Sequence, residues 1–141
     1  MKFLFPFILL ISILLASTSC IEKSKINFIN ADLDSTIKVQ KISFNNLIKT
    51  YKSLHGQFVE VDGYGFFGFE LSALCREDDL FDDDQTCFWL EFSRDLKIND
   101  SLVLFASGHK FKLKGRIDTT QRGHLNSYPA ALTEIYYLKV K

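Results

Sequence analysis

Three glycines in the stretch VDGYGFFGFE have the spacing of a dinucleotide-binding turn. Gly63, Gly65 and Gly68 fit G-x-G-x-x-G, in which a strand leads into a glycine turn and the following helix holds the pyrophosphate at its N-terminus. The residues before them, QFVEV, are typical of a strand, but those after them, FFGFELSAL, are aromatic and interrupted by glycine. Because no helix is predicted to follow, the pattern does not indicate NAD binding. We expect the glycines to relieve crowding where a sheet bends into a small barrel.

Two cysteines flank an acidic segment, CREDDLFDDDQTC, that could carry redox or metal chemistry. The segment between Cys75 and Cys87 holds six acidic residues and one arginine. It lacks the residue spacing of an EF-hand, and no second cysteine pair lies nearby to complete a zinc site. Three interpretations stay open: a disulfide, a reduced pair and a metal-linked pair. An oxidising compartment would favour the disulfide.

No residues in the sequence have the arrangement of a catalytic site. The three histidines, His55, His109 and His124, lie far apart along the chain, and neither G-x-S-x-G nor H-E-x-x-H occurs. A lone histidine is more often a surface or turn residue than a ligand. The sequence therefore predicts a protein that is not an enzyme, with no catalytic residues, no cofactor and no metal site.

One candidate binding surface is a basic row on a strand. In HKFKLKGRIDT, apolar residues alternate with basic ones, which places four cations on one face: Lys110, Lys112, Lys114 and Arg116. Such a row could line a groove for an oligonucleotide or oligosaccharide, or it could be the solvated outer face of a strand. The formal net charge of +0 gives no electrostatic argument for a nucleic acid partner.

A second candidate binding surface is the segment RGHLNSYPAAL. Glycine, asparagine and proline predict turns here, and between them stand His124, Leu125 and Tyr128. Apolar and aromatic residues in an ordered loop can anchor a protein interface. They can equally close the end of a barrel, so both interpretations stay open.

The first residues have the architecture of a secretory signal. One positive charge at Lys2 precedes an apolar run from Phe3 to Ala16, and small residues follow. The run is shorter than the roughly 20 residues of a membrane-spanning helix. We expect residues 1–19 to be the signal peptide.

The cysteine after these small residues, Cys20, resembles the acylated cysteine of a bacterial lipobox. One departure is Ser17, which stands where that motif usually has leucine. The resemblance implies that Cys20 carries acyl chains such as palmitate, which would anchor the protein to a membrane. The alternative is an ordinary signal peptide in which Cys20 is incidental.

One helix and about five short strands must position these residues. The interval 20–42 is weakly patterned, and we interpret it as a lipidated N-terminus and tether. In SFNNLIKTYKSLHG the apolar residues recur on one helical face, with Ser43 as N-cap and Gly56 as terminator. After this helix the apolar residues recur at every second position, which predicts strands in QFVEVDGYGFFGFELSAL, CFWLEF, HKFKLKGRIDT and LTEIYYLKVK. The segment DSLVLFA is expected to be a short strand or a barrel-crossing segment. The fold predicted for 43–141 is mainly β, a small five-stranded OB-like barrel preceded by an amphipathic helix.

Most of the interval 54–138 resembles uncharacterised envelope lipoproteins of the Bacteroidota type with OB-like barrels. The segments that carry the resemblance are LHGQFVEVDGYGFFGFELSALC, CFWLEF and GRIDTTQRGHLNSYPAALTEIYYL. The resemblance implies the fold and an envelope lipoprotein, but no activity. We expect an exported protein, anchored by lipid in the cell envelope at the outer membrane, that acts by binding, with another envelope protein as its expected partner. An oligonucleotide- or oligosaccharide-binding barrel is the alternative.

Overall fold

The computed structural model describes residues 27–78 and 86–141. The strands are β1 (Asn27–Ile29), β2 (Gln40–Lys41), β3 (Phe58–Gly68), β4 (Leu71–Cys75), β5 (Cys87–Phe92), β6 (Lys110–Asp118) and β7 (Ala131–Val140). The α-helices are α1 (Ala31–Thr36), α2 (Phe44–Thr50) and α3 (Asp100–Phe105). Short 3-10 turns cover Tyr51–Leu54 and His124–Asn126.

Five of the strands form a closed ring. Strand β3 pairs with β4 along one part and with β6 along another, β4 pairs with β5, β5 runs parallel to β7, and β7 pairs with β6. Helix α3 lies between β5 and β6 in the chain. The predicted fold class, mainly β with a five-stranded OB-like barrel after an amphipathic helix, is confirmed.

Alternate residues of the barrel strands fill its interior. On β6, Phe111, Leu113 and Ile117 are fully buried, as the alternating pattern predicted. Helix α2 adds Phe44 and Leu47 to the same core. These side chains form one continuous apolar core, which is the main source of the fold's stability.

The predicted helix begins and ends as its sequence indicates. The Ser43 hydroxyl accepts a hydrogen bond from the Asn46 amide at 3.3 Å, which caps the first turn of α2. After the 3-10 turn, Gly56 adopts a φ of +79°, a left-handed conformation that favours glycine. The chain then enters β3 directly.

The glycine pattern belongs to β3 and not to a nucleotide-binding turn. Gly63, Gly65 and Gly68 lie within this strand, and β4 follows it, where a dinucleotide site would need a helix. A Cβ on Gly63 would lie 2.8 Å from Leu74, and one on Gly65 would lie 2.7 Å from the Phe111 ring. Both inward-facing positions therefore lack room for a side chain, because the closing strands approach each other here.

The expectation for DSLVLFA was wrong, because this segment forms α3. The Asn99 side chain accepts a hydrogen bond from the Leu102 amide at 3.1 Å and so caps the helix. Val103 is buried in the core while Leu104 and Phe105 are exposed. The short apolar run could not distinguish a one-sided helix from a strand.

The interval from Asn27 to Ile42, interpreted as tether, is folded against the barrel. Strand β1 pairs with β7 and β2 pairs with β3. The Tyr136 ring on β7 is fully buried, and burial raises the pKa of its phenol to about 12. The folded unit thus includes Asn27 and does not begin at Ser43. The predicted signal peptide, residues 1–19, and the predicted lipidation site, Cys20, lie outside the described residues.

Candidate binding surface

The predicted cysteine pair joins two neighbouring barrel strands. Cys75 ends β4, Cys87 begins β5, and the two are direct cross-strand partners. Their sulfur atoms lie at bonding distance and their α-carbons are 4.1 Å apart. This confirms the pairing that the sequence favoured over a reduced or metal-linked pair. The bond closes the loop between the strands, of which residues 79–85 lie outside the described parts.

A second, smaller apolar cluster lies on the outside of the barrel. Phe66, Ala73 and Cys75 are buried there, although they belong to outward-facing positions of β3 and β4. Tyr128 packs over them, and burial raises the pKa of its phenol. The segment 119–130, which we call the crossing loop, therefore lies against the outer face of β4 and β5.

Trp89 on β5 fixes the position of the crossing loop. Its ring lies 5.4 Å from that of Tyr128. Gly123 has a φ of +64°, and a Cβ there would lie 2.6 Å from the indole. The Arg122 side chain also donates a hydrogen bond to the Tyr128 carbonyl at 2.9 Å. The loop is thus ordered by packing as well as by backbone conformation.

Two large apolar side chains project from this ordered region into solvent. Leu125, in the crossing loop, is 81% exposed, and Phe69, in the β3–β4 turn, is 93% exposed. His124 Nε2 lies 3.4 Å from a carboxylate oxygen of Glu70, so the two turns adjoin. We call Phe69, Glu70, His124 and Leu125 the loop surface.

The backbone of the loop surface is held in an uncommon conformation. Leu125, Asn126 and Glu70 have φ values of +52°, +56° and +53°. Left-handed backbone is disfavoured for leucine and persists where the surrounding structure fixes it. Packing of Tyr128 and Gly123 on Trp89 supplies that constraint.

Of the two interpretations of the crossing loop, a lid over the barrel end is wrong in its placement, and an interface stays a prediction. Tyr128 covers an apolar surface, on the side of the barrel and not at its end. Leu125 and His124 remain available at the surface. The sequence alone did not reveal Phe69 and Glu70 as their neighbours, although the break in strand alternation after Gly68 marks a turn there.

The basic row lies on the outer face of β6, where nearby carboxylates neutralise it. Lys112 donates a hydrogen bond to Glu60 at 3.1 Å, and this bond raises the pKa of the lysine. Lys114 pairs with Asp34 of α1 at 2.5 Å and lies 3.9 Å from Glu60. The row is therefore part of the contact between the barrel and the N-terminal segment.

The two ends of the row are also partnered. Arg116 pairs with Glu134 at 2.6 Å. The Lys110 ammonium lies 5.9 Å from the centre of the Tyr64 ring, within the range of a cation–π contact. Four aligned cations thus present much less positive potential than their sequence suggests.

A cleft of about 470 Å³ lies between the start of α2 and β3. Charges of both signs line it, including Lys41, Glu60, Asp62 and Lys110. Two of these carboxylates already have partners, since Lys112 pairs with Glu60 and Lys141 with Asp62. The cleft offers neither a one-signed charge nor a mainly apolar wall, so it gives no indication of a ligand class.

The histidines are not brought together. His55 accepts a hydrogen bond from the Thr119 amide at 3.1 Å, His109 Nδ1 lies 3.2 Å from the Ala106 carbonyl oxygen, and His124 belongs to the loop surface. Within residues 27–78 and 86–141, no group of three or more histidine, cysteine, aspartate or glutamate residues could hold a metal ion.

Comparisons with protein-family models, curated proteins and solved structures found no match. In the described part of the chain, no helix is long and apolar enough to cross a membrane.

Proposed function

We propose that this protein is a lipid-anchored component of a bacterial cell envelope whose barrel is a non-catalytic binding module. Its partner is another envelope protein, which docks on the loop surface. The observation that carries the proposal is the paired exposure of Phe69 and Leu125 on two adjoining turns. Large apolar side chains on an ordered surface are the usual anchors of a protein interface.

The rigidity of this region supports a binding role. A partner that docks on an already ordered loop does not have to offset the entropy of ordering it. The left-handed backbone at Leu125 costs conformational free energy. Such strain is typical of functional sites, and an interface formed by the exposed leucine would account for it. The His124–Glu70 pair would lie at the rim, where charged groups contribute orientation more than affinity.

The alternative is an oligonucleotide- or oligosaccharide-binding barrel. Such barrels hold the ligand on their second and third strands and on the loops after their first and fourth strands, here β4, β5, the β3–β4 turn and the crossing loop. The position of the loop surface therefore fits either class of partner, and the charges of the basic row weigh against a polyanion. The basic row that would attract a polyanion is paired with Asp34, Glu60 and Glu134. We therefore do not expect nucleic acid as a partner.

Replacing both anchors should abolish partner capture. In crosslinking pull-downs from the native envelope, we expect Phe69→Ser with Leu125→Ser to reduce recovery of the specific partner by about tenfold or more, because each anchor should contribute about 1–2 kcal/mol. Ile29→Thr is the matched control, since Ile29 is an exposed apolar residue away from the loop surface. It should leave capture unchanged, and raising salt should weaken capture only slightly.

A different kind of partner, with a different salt dependence of binding, would contradict this assignment. If a nucleic acid or glycan is recovered, if its binding falls steeply with salt, and if Lys112→Gln with Lys114→Gln abolishes it, the polyanion-binding alternative is correct. Equal capture by the serine variant and the wild type would also exclude the loop surface as the interface.

The lipid anchor has its own test. In a bacterium grown with labelled palmitate, we expect the full-length protein to incorporate the label and to float with membranes, and the Cys20→Ala variant to do neither. Equal labelling of the two proteins, or an unlabelled wild type, would show that Cys20 is not the anchor.

A further inference from the structure

Helix α3 lies at the same end of the barrel as the start of the folded chain. Asn27 is the cross-strand partner of Lys139, near the end of β7. The Lys141 amide donates a hydrogen bond to the Lys110 carbonyl at 2.9 Å, so β7 ends beside the start of β6. Residues 106–109 connect α3 to that start. Helix α2 is at the opposite end, because it leads through the 3-10 turn into Phe58, the partner of Arg116.

The last turn of α3 is apolar on its outward side, whereas the first turn exposes Asp100 and Ser101. Val103 faces the core and is 4% exposed, whereas Leu104 and Phe105 are 52% and 60% exposed. In the described part of the chain, the only other exposed large apolar residues are Ile29 and the pair Phe69 and Leu125. Leu104 and Phe105 are adjacent on one helical turn, and together they form a patch that is more than half exposed.

The distance between the proposed anchor and the barrel is short. Asn27 follows Cys20 by only seven positions, and seven extended residues span at most about 25 Å. The end of the barrel that carries Asn27, and α3 with it, is therefore confined near the bilayer whatever path these residues take. Such confinement gives a high effective concentration of lipid, so a weak contact suffices.

We propose that α3 rests on the bilayer and inserts Leu104 and Phe105 among the lipid headgroups. This inference depends on the lipid anchor proposed above. An apolar helical turn at the interface reaches the boundary between headgroups and acyl chains. The contact orients the barrel, with α3 towards the membrane and α2 away from it.

Tryptophan fluorescence in reconstituted vesicles tests the orientation. The full-length lipidated protein, its Phe105→Trp variant and a Lys49→Trp control are placed in phosphatidylcholine vesicles with or without brominated acyl chains. Lys49 is exposed on α2, at the other end, and Trp89, the one native tryptophan, provides the common background. We expect bromine to remove about half or more of the fluorescence that Phe105→Trp adds, and none of that added by Lys49→Trp.

Flotation of each sample separates the two hypotheses. A protein that floats with vesicles but shows no quenching of the added tryptophan at position 105 refutes docking of α3 and leaves the anchor intact. Equal quenching at positions 105 and 49 refutes the orientation as well. A protein that does not float refutes the anchor, and the docking of α3 with it. Far-UV circular dichroism of each variant in detergent verifies that the barrel is folded.

Discussion

Loss of the Cys75–Cys87 bond should lower the free energy of unfolding by about 3 kcal/mol. The cysteines are 12 positions apart, and the bond stabilises the fold mainly because it restricts the unfolded chain. The segment between the two cysteines carries six acidic residues, which repel one another when ionised. The bond therefore also holds β4 and β5 together against that repulsion. About 3 kcal/mol is a large share of the stability of a small domain.

Urea unfolding of oxidised protein, reduced protein and a Cys75→Ala, Cys87→Ala variant measures this effect. A Cys20→Ala background leaves this pair as the only cysteines, because the chain has three. The reduced protein and the alanine variant should lose similar amounts of stability, which would attribute the loss to the crosslink and not to packing. Complete maleimide labelling of both thiols, in protein isolated from its compartment without reductant, would contradict the bond.

Gly65→Val should destabilise the barrel by about 3 kcal/mol, at the upper end of overpacking effects. The added Cβ would meet the Phe111 ring at 2.7 Å and the Phe67 ring at 2.8 Å. Phe111 is fully buried, so its ring cannot move aside without disturbing the core. For a domain of this size, thermal unfolding should show a melting temperature lower by roughly 10 °C or more.

Gly68→Val is the matched control on the same strand. A Cβ at Gly68 would lie 3.9 Å from Leu71, an ordinary contact, so its stability should change by less than about 0.5 kcal/mol. Similar losses in both variants would refute the steric explanation. NAD should leave the melting temperature of the wild type unchanged, and a saturable increase would revive the dinucleotide site.

The sequence correctly predicted those elements whose pattern of apolar residues is long enough to repeat. Strand β6 shows strict alternation, and α2 has both an apolar face and its capping residues, Ser43 and Gly56. Strands β1 and β2 have three and two residues, too few for a period to emerge. Helix α3 has a single turn of apolar residues, which fits a strand equally well.

The sequence identified only half of the loop surface, for a related reason. Leu125, His124 and Tyr128 stand together in the sequence and were identified there. Phe69 and Glu70 join them only because the β3–β4 turn meets the crossing loop, a contact between positions far apart in the chain. The sequence could not show that the basic row is paired, because the carboxylates that pair with it, such as Asp34 and Glu60, come from other elements.

The two shortest strands protect the sheet from unwanted pairing. Beyond its contact with β5, the edge of β7 is covered by β1, and the edge of β3 before β4 is covered by β2. Uncovered strand edges present unpaired amides and carbonyls that recruit other chains into aggregates. The segment 27–42 thus covers these edges, and a barrel without it would expose two edges at which other chains could pair.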